Sequence, residues 1–462
     1  MDLTLTSKSQ QGLALGEPTA AGAADGAAGP GERSSGRARL HTFQALGVRD
    51  FRWLWFGFAG TWLAMQMLQV ARGYLAYELT GNAFSLGLVT LAMGLPRIIL
   101  SPLGGVIADR FPKRVVLMSM QAALGFLAIG AAVMVALNLM TIQWLIVFGL
   151  LQGSAFGLVM PARQAYVPQV VGKGNMLANA IALNSAGMNL CRIVGPTIAG
   201  VLIAIPRVSV SGAFFAVAVG YLLAWLSTYR VQNRGVTGGA RQSVGSSLRE
   251  GFAYVGGNRQ LLALMSLGFV PLALGMPYIS LMPAVALGDL GLGATGLGWM
   301  LTLTGAGALC GTLVIASLAS SSRKAALQLI CGLAFGVSLT LFSVGIRAHL
   351  LGLALPFLFL TGAAGDAYMA LNSTLLLLST EEGVYGRVMG VYMVAQSIRP
   401  ITVLPISALA DAISTPLTLG IAGAVVTVFV AGVASLYPAY RTIGQHPVLN
   451  APRSSPAGSG PS

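Results

Sequence analysis

Long apolar runs without a charged side chain restrict this chain to one class of fold. Between residues 115 and 162 there is no Asp, Glu, Lys or Arg, and polar residues interrupt the run only near 138–143. Each half of this stretch has about 20 residues, which is enough for a helix to cross a hydrocarbon layer of roughly 30 Å. The runs lack the alternation of barrel strands, and a helix satisfies its own backbone in lipid. We therefore predict an all-α integral membrane protein.

The composition excludes a soluble protein. Hydrophobic residues make up 55% of the 462 residues and charged residues only 9%, whereas a soluble domain carries roughly 25% charged residues. Charged groups this scarce could not cover a surface that faces water. The three cysteines, Cys191, Cys310 and Cys331, all lie in apolar runs and are expected to be packing residues. We predict no metal site and no cofactor.

The apolar runs divide the chain into two sets of six spans. We predict twelve transmembrane helices, at about residues 51–77, 85–108, 115–137, 142–166, 176–203, 209–229, 260–286, 296–319, 325–346, 350–378, 387–410 and 416–437. The predicted order is a disordered tail at 1–48, a six-helix bundle at 49–229, a linker at 230–259, a second six-helix bundle at 260–440 and a tail at 441–462. Within the linker, SSLREGFAYV has the pattern of a short amphipathic helix on the membrane surface.

The lysines and arginines concentrate on one side of the predicted membrane. The connections on that side, together with both tails, hold 21 of the 27 basic residues, whereas the other side holds only Arg207 and Arg347. Basic residues favour the cytoplasmic side of a membrane, so we predict a multi-pass plasma-membrane protein with both termini in the cytoplasm. This distribution explains the net charge of +14 without nucleic acid. The expected partners are the lipid bilayer and a small molecule, and the expected state is a monomer.

A few charged side chains lie within the predicted spans. Four arginines do so, in spans 1, 2, 5 and 11, and one acid, Asp366, lies at comparable depth in span 10; the arginines are Arg72, Arg97, Arg192 and Arg399. A charge at membrane depth costs at least ~2.5–3.5 kcal/mol, so such residues usually face protein or water. Spans 3, 6, 9 and 12 carry no internal charge. We predict Arg72, Arg97, Arg192, Asn372 and Gln396 as residues of a substrate cavity.

Asp366 and Arg399 are the predicted coupling pair. Both lie about 12–13 residues from the cytoplasmic ends of adjacent spans, roughly 20 Å deep at 1.5 Å per residue, and pairing lowers the cost of burying each charge. If Asp366 is protonated in one state and paired in another, it couples proton entry to substrate exit. A fixed structural ion pair is the alternative. The excess of arginines favours an anionic substrate, unless they bind backbone carbonyls or lipid headgroups.

A charged motif, GGVIADRFPKR at 104–114, follows the second span. Its two glycines permit close helix packing, and its basic residues suit the cytoplasmic interface. The acid, Asp109, either accepts hydrogen bonds from the N-terminus of a neighbouring helix or is a solvated loop residue beside Arg110. Spacing alone does not separate these alternatives.

This motif resembles the helix 2–3 signature of the major facilitator superfamily, although Pro112 stands where that signature usually has Gly. The matching residues are Gly105, Asp109, Arg110, Lys113 and Arg114. Further stretches resemble the efflux branch that includes enterobactin-type siderophore exporters and macrolide exporters: ARGYLAYELTG (71–81), PARQAYVPQVV (161–171), RIVGPTIAG (192–200), REGFAYV (249–255) and GRVMGVYM (386–393). The resemblance spans about residues 49–440.

The resemblance implies two six-helix bundles around a central cavity, built from inverted three-helix repeats, with spans 3, 6, 9 and 12 outside the cavity. It also implies that Asp109 latches the two bundles in the outward-facing state, through the start of span 11 at Gly386–Arg387 and through Arg163. Gly195 and Pro196 resemble part of an antiporter motif in span 5. Their alternative role is a helix kink and close packing.

The function predicted from these features is secondary active transport. No phosphate loop of the form G-x-x-x-x-G-K-[ST] is present, which disfavours an ATP-driven pump. The three histidines, His41, His349 and His446, lie outside the span cores, which disfavours an intramembrane protease or zinc enzyme. We predict a proton-coupled exporter of a small organic molecule, such as a drug, siderophore or metabolite. The alternatives are an importer or facilitator of a small anionic metabolite, a membrane enzyme, and a membrane sensor without flux.

Overall fold

A computed structural model describes residues 41–172, 174–235, 244–318, 321, 323–380, 384–436 and 440, without the side chains of residues 41, 42, 109 and 244–248. Most of the predicted tails, the middle of the linker and the Asp109 side chain therefore lie outside the described part. The last residues of the predicted N-terminal tail, His41–Gly47, form a short 3₁₀ helix. Ala45 is buried there, and its N–H donates to Asn179 Oδ1 at 3.0 Å, so packing of the bundle begins earlier than predicted.

Thirteen helices longer than ten residues occupy the described residues. The first bundle contains α1 (Arg49–Thr80), α2 (Ala83–Arg110), α3 (Lys113–Ala136), α4 (Ile142–Val171), α5 (Asn175–Ala204) and α6 (Ser209–Tyr229). The linker contains α7 (Val244–Gly257), the predicted amphipathic helix. The second bundle contains α8 (Arg259–Asp289), α9 (Gly293–Ser317), α10 (Lys324–Arg347), α11 (Leu351–Leu378), α12 (Tyr385–Ala412) and α13 (Thr415–Leu436).

Local signals set several helix ends. Gly81 ends α1 with a left-handed φ of 67°, which glycine adopts without strain. Asn82, Thr141 and Asn258 cap the starts of α2, α4 and α8 by accepting hydrogen bonds from backbone N–H groups of the first turn. The sequence alternates in this way between long apolar helices and short polar connections.

Eleven of the twelve long helices are long and apolar enough to cross a membrane. The remaining one, α1, has 32 residues but also five charged side chains, Arg49, Asp50, Arg52, Arg72 and Glu78. Since α1 packs lengthwise on α5 and α6, we count it with the others, and the twelve predicted spans correspond to α1–α6 and α8–α13. Two helices of the second bundle are irregular: α8 contains π-helical turns at Pro271–Gly275 and Ala284–Asp289, and α12 breaks at Ile398.

The helices pack in two groups joined at two seams. In the first bundle α2 packs on α4 and α3 on α6, and in the second α10 packs on α11 and α13. Between the bundles, α2 packs on α12 and α5 on α9. Residues Thr42–Ser462 form one compact unit, so the exact residues that bound the two halves remain a prediction.

Candidate functional site

A large cavity lies between the two bundles. Its volume is about 610 Å³, and its lining residues come from α1, α2 and α4 of the first bundle and from α8, α9 and α12 of the second. None of the lining residues belongs to α3, α6, α10 or α13, the four helices that carry no internal charge and that the resemblance places outside the cavity. A cavity at the interface of two bundles is the usual place for a transported ligand.

Three arginines line this cavity: Arg72 from α1, Arg97 from α2 and Arg399 from α12. The residues that line it include no Asp or Glu. Arg72 is 8% exposed, and its Nη1 lies 2.6 Å from Met93 Sδ, whereas Arg97 is exposed to the cavity. Within the described part of the chain none of the three forms an ion pair. The cavity wall is therefore strongly positive.

Neutral polar groups and methionines complete the wall. Gln69, Thr90, Gln164, Ser280 and Gln396 offer hydrogen bonds, and Gln396 Nε2 also donates to the Tyr392 hydroxyl at 2.7 Å. The methionines are Met65, Met93, Met160 and Met393. Their flexible side chains adapt to ligands of different shape. The predicted cavity residues Arg72, Arg97 and Gln396 thus lie on the wall, and their contact with a substrate stays a prediction.

The break in α12 positions Arg399. The helix is interrupted at Ile398, and a new helix starts at Arg399 with Pro400 in its first turn. Since proline has no N–H, it cannot complete the hydrogen bond to the carbonyl of Gln396. Helices interrupted at the membrane centre commonly form the binding sites of transporters.

Asp366 forms an ion pair between the two bundles, with a partner that differs from the predicted one. Arg192 Nη1 lies 2.8 Å from Asp366 Oδ1, and Arg192 Nη2 lies 2.9 Å from Oδ2. The two side chains are 27% and 25% exposed. The predicted pairing of Asp366 with Arg399 is therefore wrong in this structure, and Arg192 is a pairing residue that does not line the cavity. Arg399 lies within electrostatic range of Asp366, Arg192 and Arg97.

Asn372 has a structural position that the sequence did not indicate. Its side chain is fully buried, and its Nδ2 donates to the Leu264 carbonyl of α8 at 3.0 Å. A Cβ on Gly268 would lie 2.8 Å from Asn372 Oδ1. Asn372 therefore joins α11 to α8 and does not reach the cavity, which corrects its prediction as a cavity residue.

The seams between the bundles lie towards one end of the molecule. We call the end where α1 begins at Arg49 the basic face, and the end where α1 finishes at Thr80 the opposite face. Among the described residues, every side-chain hydrogen bond between the bundles lies at the level of the Arg192–Asp366 pair or nearer the opposite face. The bundles are therefore closed at the opposite face, and the cavity faces the basic face.

Glycines allow the helices of both seams to touch. In the α5–α9 seam, a Cβ on Gly200 would lie 2.8 Å from the Ala294 oxygen, and one on Gly298 would lie 2.8 Å from the Pro196 oxygen. In the α2–α12 seam, a Cβ on Gly87 would lie 2.8 Å from Ser407 Cβ. At these distances a side chain on any of the three glycines would overlap the neighbouring helix, so glycine permits the close packing.

An acid of the second bundle closes the end of the α2–α12 seam. Asp411, one residue before the end of α12, accepts hydrogen bonds from the backbone N–H groups of Ala83 at 2.6 Å and Phe84 at 2.7 Å. These N–H groups belong to the first turn of α2, which has no intrahelical partner for them. The carboxylate also interacts favourably with the positive end of the α2 dipole. Asp411 was not among the predicted site residues.

Substitution of Gly298 by valine is expected to separate α5 from α9. The Cβ would overlap the Pro196 carbonyl, a backbone atom that cannot rotate away. A cysteine is placed at Ser280, in the cavity, and a thiol-specific reagent is added at the opposite face. We expect the reagent to react faster with this cysteine in the Gly298→Val variant. Gly432→Val, at a glycine with no atom within 4 Å of its Cβ position, is the control, and equal rates in both variants would contradict the seam.

The residues of the predicted gating motif do not form one cluster in the described part. Arg387 pairs with Glu250 of α7 at 3.2 Å, and Arg163 stacks over Phe58, with 4.0 Å to the ring centroid. Arg114 donates to the Tyr229 carbonyl. The remaining members are exposed Arg110, buried Lys113 and Gly105, which has no atom near its Cβ position. The latch was predicted for the outward-facing state, whereas this structure is closed at the opposite face.

Gly195 packs α5 closely against α1, since a Cβ on it would lie 2.6 Å from Gln66 Cβ. Pro196 lies inside α5, which continues as one helix from Asn175 to Ala204. The Thr302 hydroxyl of α9 donates to the Ile193 carbonyl at 3.1 Å. These contacts fit the packing alternative for the two residues.

Comparison with known proteins identifies transporters. The model of a family described as "Transmembrane secretion effector" matches residues 41–450. The staphyloferrin A transporter of Staphylococcus aureus (strain NCTC 8325 / PS 47) is 28% identical over 170 residues, which is 37% of this chain and 41% of that relative, less than half its length. The enterobactin exporter EntS of Shigella boydii serotype 18 is 26% identical over 323 residues, 69% of this chain and 71% of that protein.

The fold is also similar to that of solved transporters. A bacterial homologue of the iron transporter ferroportin, solved in the inward-facing state, superimposes with a TM-score of 0.66 at 15% sequence identity, over 84% of this chain and 99% of that one. At this identity the similarity supports the fold alone. It agrees with two six-helix bundles that enclose a central cavity.

Proposed function

The chain belongs to the transmembrane secretion effector family and is a multi-pass membrane transporter of the major facilitator type, and from this premise we propose that it exports a small organic molecule in exchange for protons. The observation that carries the proposal is the Arg192–Asp366 ion pair. It joins the two bundles beside the cavity, it is partly exposed, and its acid can exist in a charged and a neutral form. Protonation of Asp366 would weaken this link between the bundles.

The basic face is proposed to be cytoplasmic. The ends of α1, α2, α3 and α12 at this face carry Arg49, Arg110, Arg114 and Arg387, whereas Arg207 and Arg347 belong to the other end. Basic residues are retained on the cytoplasmic side during insertion. The cavity would then take up its ligand from the cytoplasm, as an exporter requires, and both termini would be cytoplasmic.

The relatives support export of a siderophore-like molecule. One is described as an enterobactin exporter and the other as a staphyloferrin A transporter. A cavity of about 610 Å³ is within the range of sites for small organic ligands. We therefore propose siderophores and related metabolites as the first compounds to test.

The test is transport by the purified full chain in proteoliposomes. Candidate compounds are loaded outside, the interior is made acidic relative to the outside, and uptake into vesicles is measured for transporters inserted with the basic face outward. Uptake that is saturable and that stops when a protonophore removes the pH gradient supports proton-coupled export. Uptake that is unaffected by the protonophore contradicts proton coupling, and the absence of saturable counterflow for every compound favours a sensor without flux.

The second candidate function is an importer or facilitator of a small anionic metabolite. The three arginines on the cavity wall favour it, because they suit an anion in either direction of transport. The direction of the pH gradient separates the two functions. An importer driven by protons accumulates its substrate on the alkaline side, whereas an exchanger with protons accumulates it on the acidic side.

Asp109 is proposed to hold the basic face closed in the other state of the cycle. Asp109→Asn is expected to reduce transport at least about tenfold, since a helix N-terminus interacts more weakly with a neutral amide than with a carboxylate. Membrane insertion, measured as the amount of protein recovered from membranes, should stay unchanged. The control is Asp50→Asn, another acid at the basic face, whose hydrogen bonds in the described part come from the backbone N–H groups of Gln232 and Asn233. Unimpaired transport by Asp109→Asn would remove the latch.

A further inference from the structure

The charges around the cavity do not balance. Three arginines, Arg72, Arg97 and Arg399, line it, and a fourth beside it, Arg192, is already paired with Asp366. Arg72, Arg97 and Arg399 lack an acidic partner within the described residues. With every group ionised, the cluster holds four positive charges and one negative charge.

Such an excess is costly at the depth of a membrane. Charged side chains there are usually paired with one another or with backbone carbonyls. Arg72 has only the sulfur of Met93 as a described hydrogen-bond acceptor, which is a weak one. Arg399 is repelled by Arg192 and Arg97, and the acid that attracts it, Asp366, is already paired with Arg192. A ligand that brings negative charge into the cavity would therefore offset a large unfavourable energy.

The type of side chain narrows the chemistry of that ligand. A guanidinium presents a rigid fork of N–H groups that matches the two oxygens of a carboxylate. The three guanidinium groups come from α1, α2 and α12, so they approach the cavity from both bundles. One carboxylate can bind one or two of them, and a ligand with several carboxylates offers a pair of acceptor oxygens to each.

We infer that the cavity is a binding site for a small organic polycarboxylate, with Arg97 and Arg399 as the principal carboxylate-binding residues and Arg72 at the inner end of the site. This inference rests on the proposed function, because it names the class of molecule carried by the same cavity. Gln69, Gln164 and Gln396 supply hydrogen bonds to the uncharged parts of the ligand. A ligand held by arginines of both bundles also links the bundles, which couples occupancy to closure of the basic face.

The test measures binding without transport. The purified full chain in detergent is titrated calorimetrically with citrate, which has three carboxylates, and with its neutral trimethyl ester as the matched probe. Citrate is expected to bind, with an affinity that falls as salt is added, and the ester is expected not to bind. Arg97→Gln and Arg399→Gln should each lower citrate affinity at least about tenfold, the usual effect of losing a charge-assisted hydrogen bond. Arg347→Gln, at the exposed end of α10, should not change it.

Several results would overturn the inference. The first is equal binding of citrate and the trimethyl ester, and the second is binding that neither Arg97→Gln nor Arg399→Gln weakens. The third is failure of citrate, tricarballylate and succinate all to bind a protein that still elutes as a single species. Inorganic phosphate is titrated in parallel, and binding as tight as that of citrate would refute carboxylate selectivity.

The same measurements separate this inference from the proposed function. Citrate binding without any flux driven by a pH gradient would contradict proton-coupled export and keep the polycarboxylate site. Gradient-driven flux of an uncharged compound that citrate does not inhibit would keep the export function and contradict the site.

Discussion

Asp366→Asn is expected to reduce pH-gradient-driven flux at least about tenfold, while exchange of labelled for unlabelled substrate at equal pH continues. Asparagine resembles the protonated acid in shape but cannot take up and release a proton. Arg192 would keep one neutral acceptor in place of two charged oxygens at 2.8 and 2.9 Å. Charge-assisted hydrogen bonds contribute about 1.5–3 kcal/mol, and the low end applies here because both side chains are about a quarter exposed. Flux and exchange are measured on the same proteoliposomes.

Two further variants decide whether Asp366 couples protons or only joins the bundles. Glu78→Gln, at an exposed acid of α1 that does not line the cavity, controls for removal of any negative charge and should keep both activities. Arg192→Gln combined with Asp366→Asn removes both members of the pair. A fixed structural pair predicts that this double variant regains gradient-driven flux, whereas a coupling acid predicts that it does not. Flux retained by Asp366→Asn alone would end the coupling hypothesis.

The membrane fold could be predicted because the two signals for it depend only on the order of residues along the chain. Apolar length determines whether a helix can cross the bilayer, and the position of basic residues alternates with the side of the membrane. Neither signal needs a partner elsewhere in the chain. Even α1, which is less apolar than the other long helices, was identified, because the basic residues before it and the polar residues after it mark its ends.

Residues that pair across the cavity are harder to predict. The depth of a residue in the membrane does not tell on which side of its helix the residue lies. Asp366 and Arg399 lie at similar depth on successive spans, which suggested a pair. In the structure α11 presents Asp366 to α5 of the other bundle, where Arg192 lies. Asn372 is six residues further along α11 and points to α8 instead. Which side of a helix faces the cavity follows from packing of the neighbouring helices, and that information is nonlocal.

Asp411 was missed although a signal for it exists. Asp109 and Asp411 each stand one residue before the end of a helix, α2 and α12 respectively. In a fold of inverted repeats these two helices pack on each other in opposite directions. An acid at the end of one helix therefore lies near the start of the other, at each face. Asp109 was recognised from a family motif, and the same geometric argument applied to α12 indicates Asp411.

Asp411→Asn is expected to shift the protein roughly tenfold towards the state that is open at the opposite face. The carboxylate accepts two hydrogen bonds, at 2.6 and 2.7 Å, from the first turn of α2, and asparagine offers one neutral oxygen. Because Asp411 is exposed, we take the low end of the charge-assisted range, about 1.5 kcal/mol, which corresponds to about a tenfold change in population. Spin labels on Leu139 and Leu350, exposed residues near this face, report the opening as a longer inter-label distance.

The matched control is Asp50→Asn. Asp50 also accepts two backbone hydrogen bonds, from Gln232 at 3.1 Å and Asn233 at 2.8 Å, but at the basic face and without joining the two bundles. Asp50→Asn loses the same kind of interaction. Because that interaction does not join the bundles, the distance between the labels should stay unchanged. An unchanged distance in Asp411→Asn would mean that the glycine contacts of the seams suffice to close the opposite face. A longer distance only in Asp411→Asn would mean that the opposite face is held shut by an acid at a helix end, the role proposed for Asp109 at the basic face.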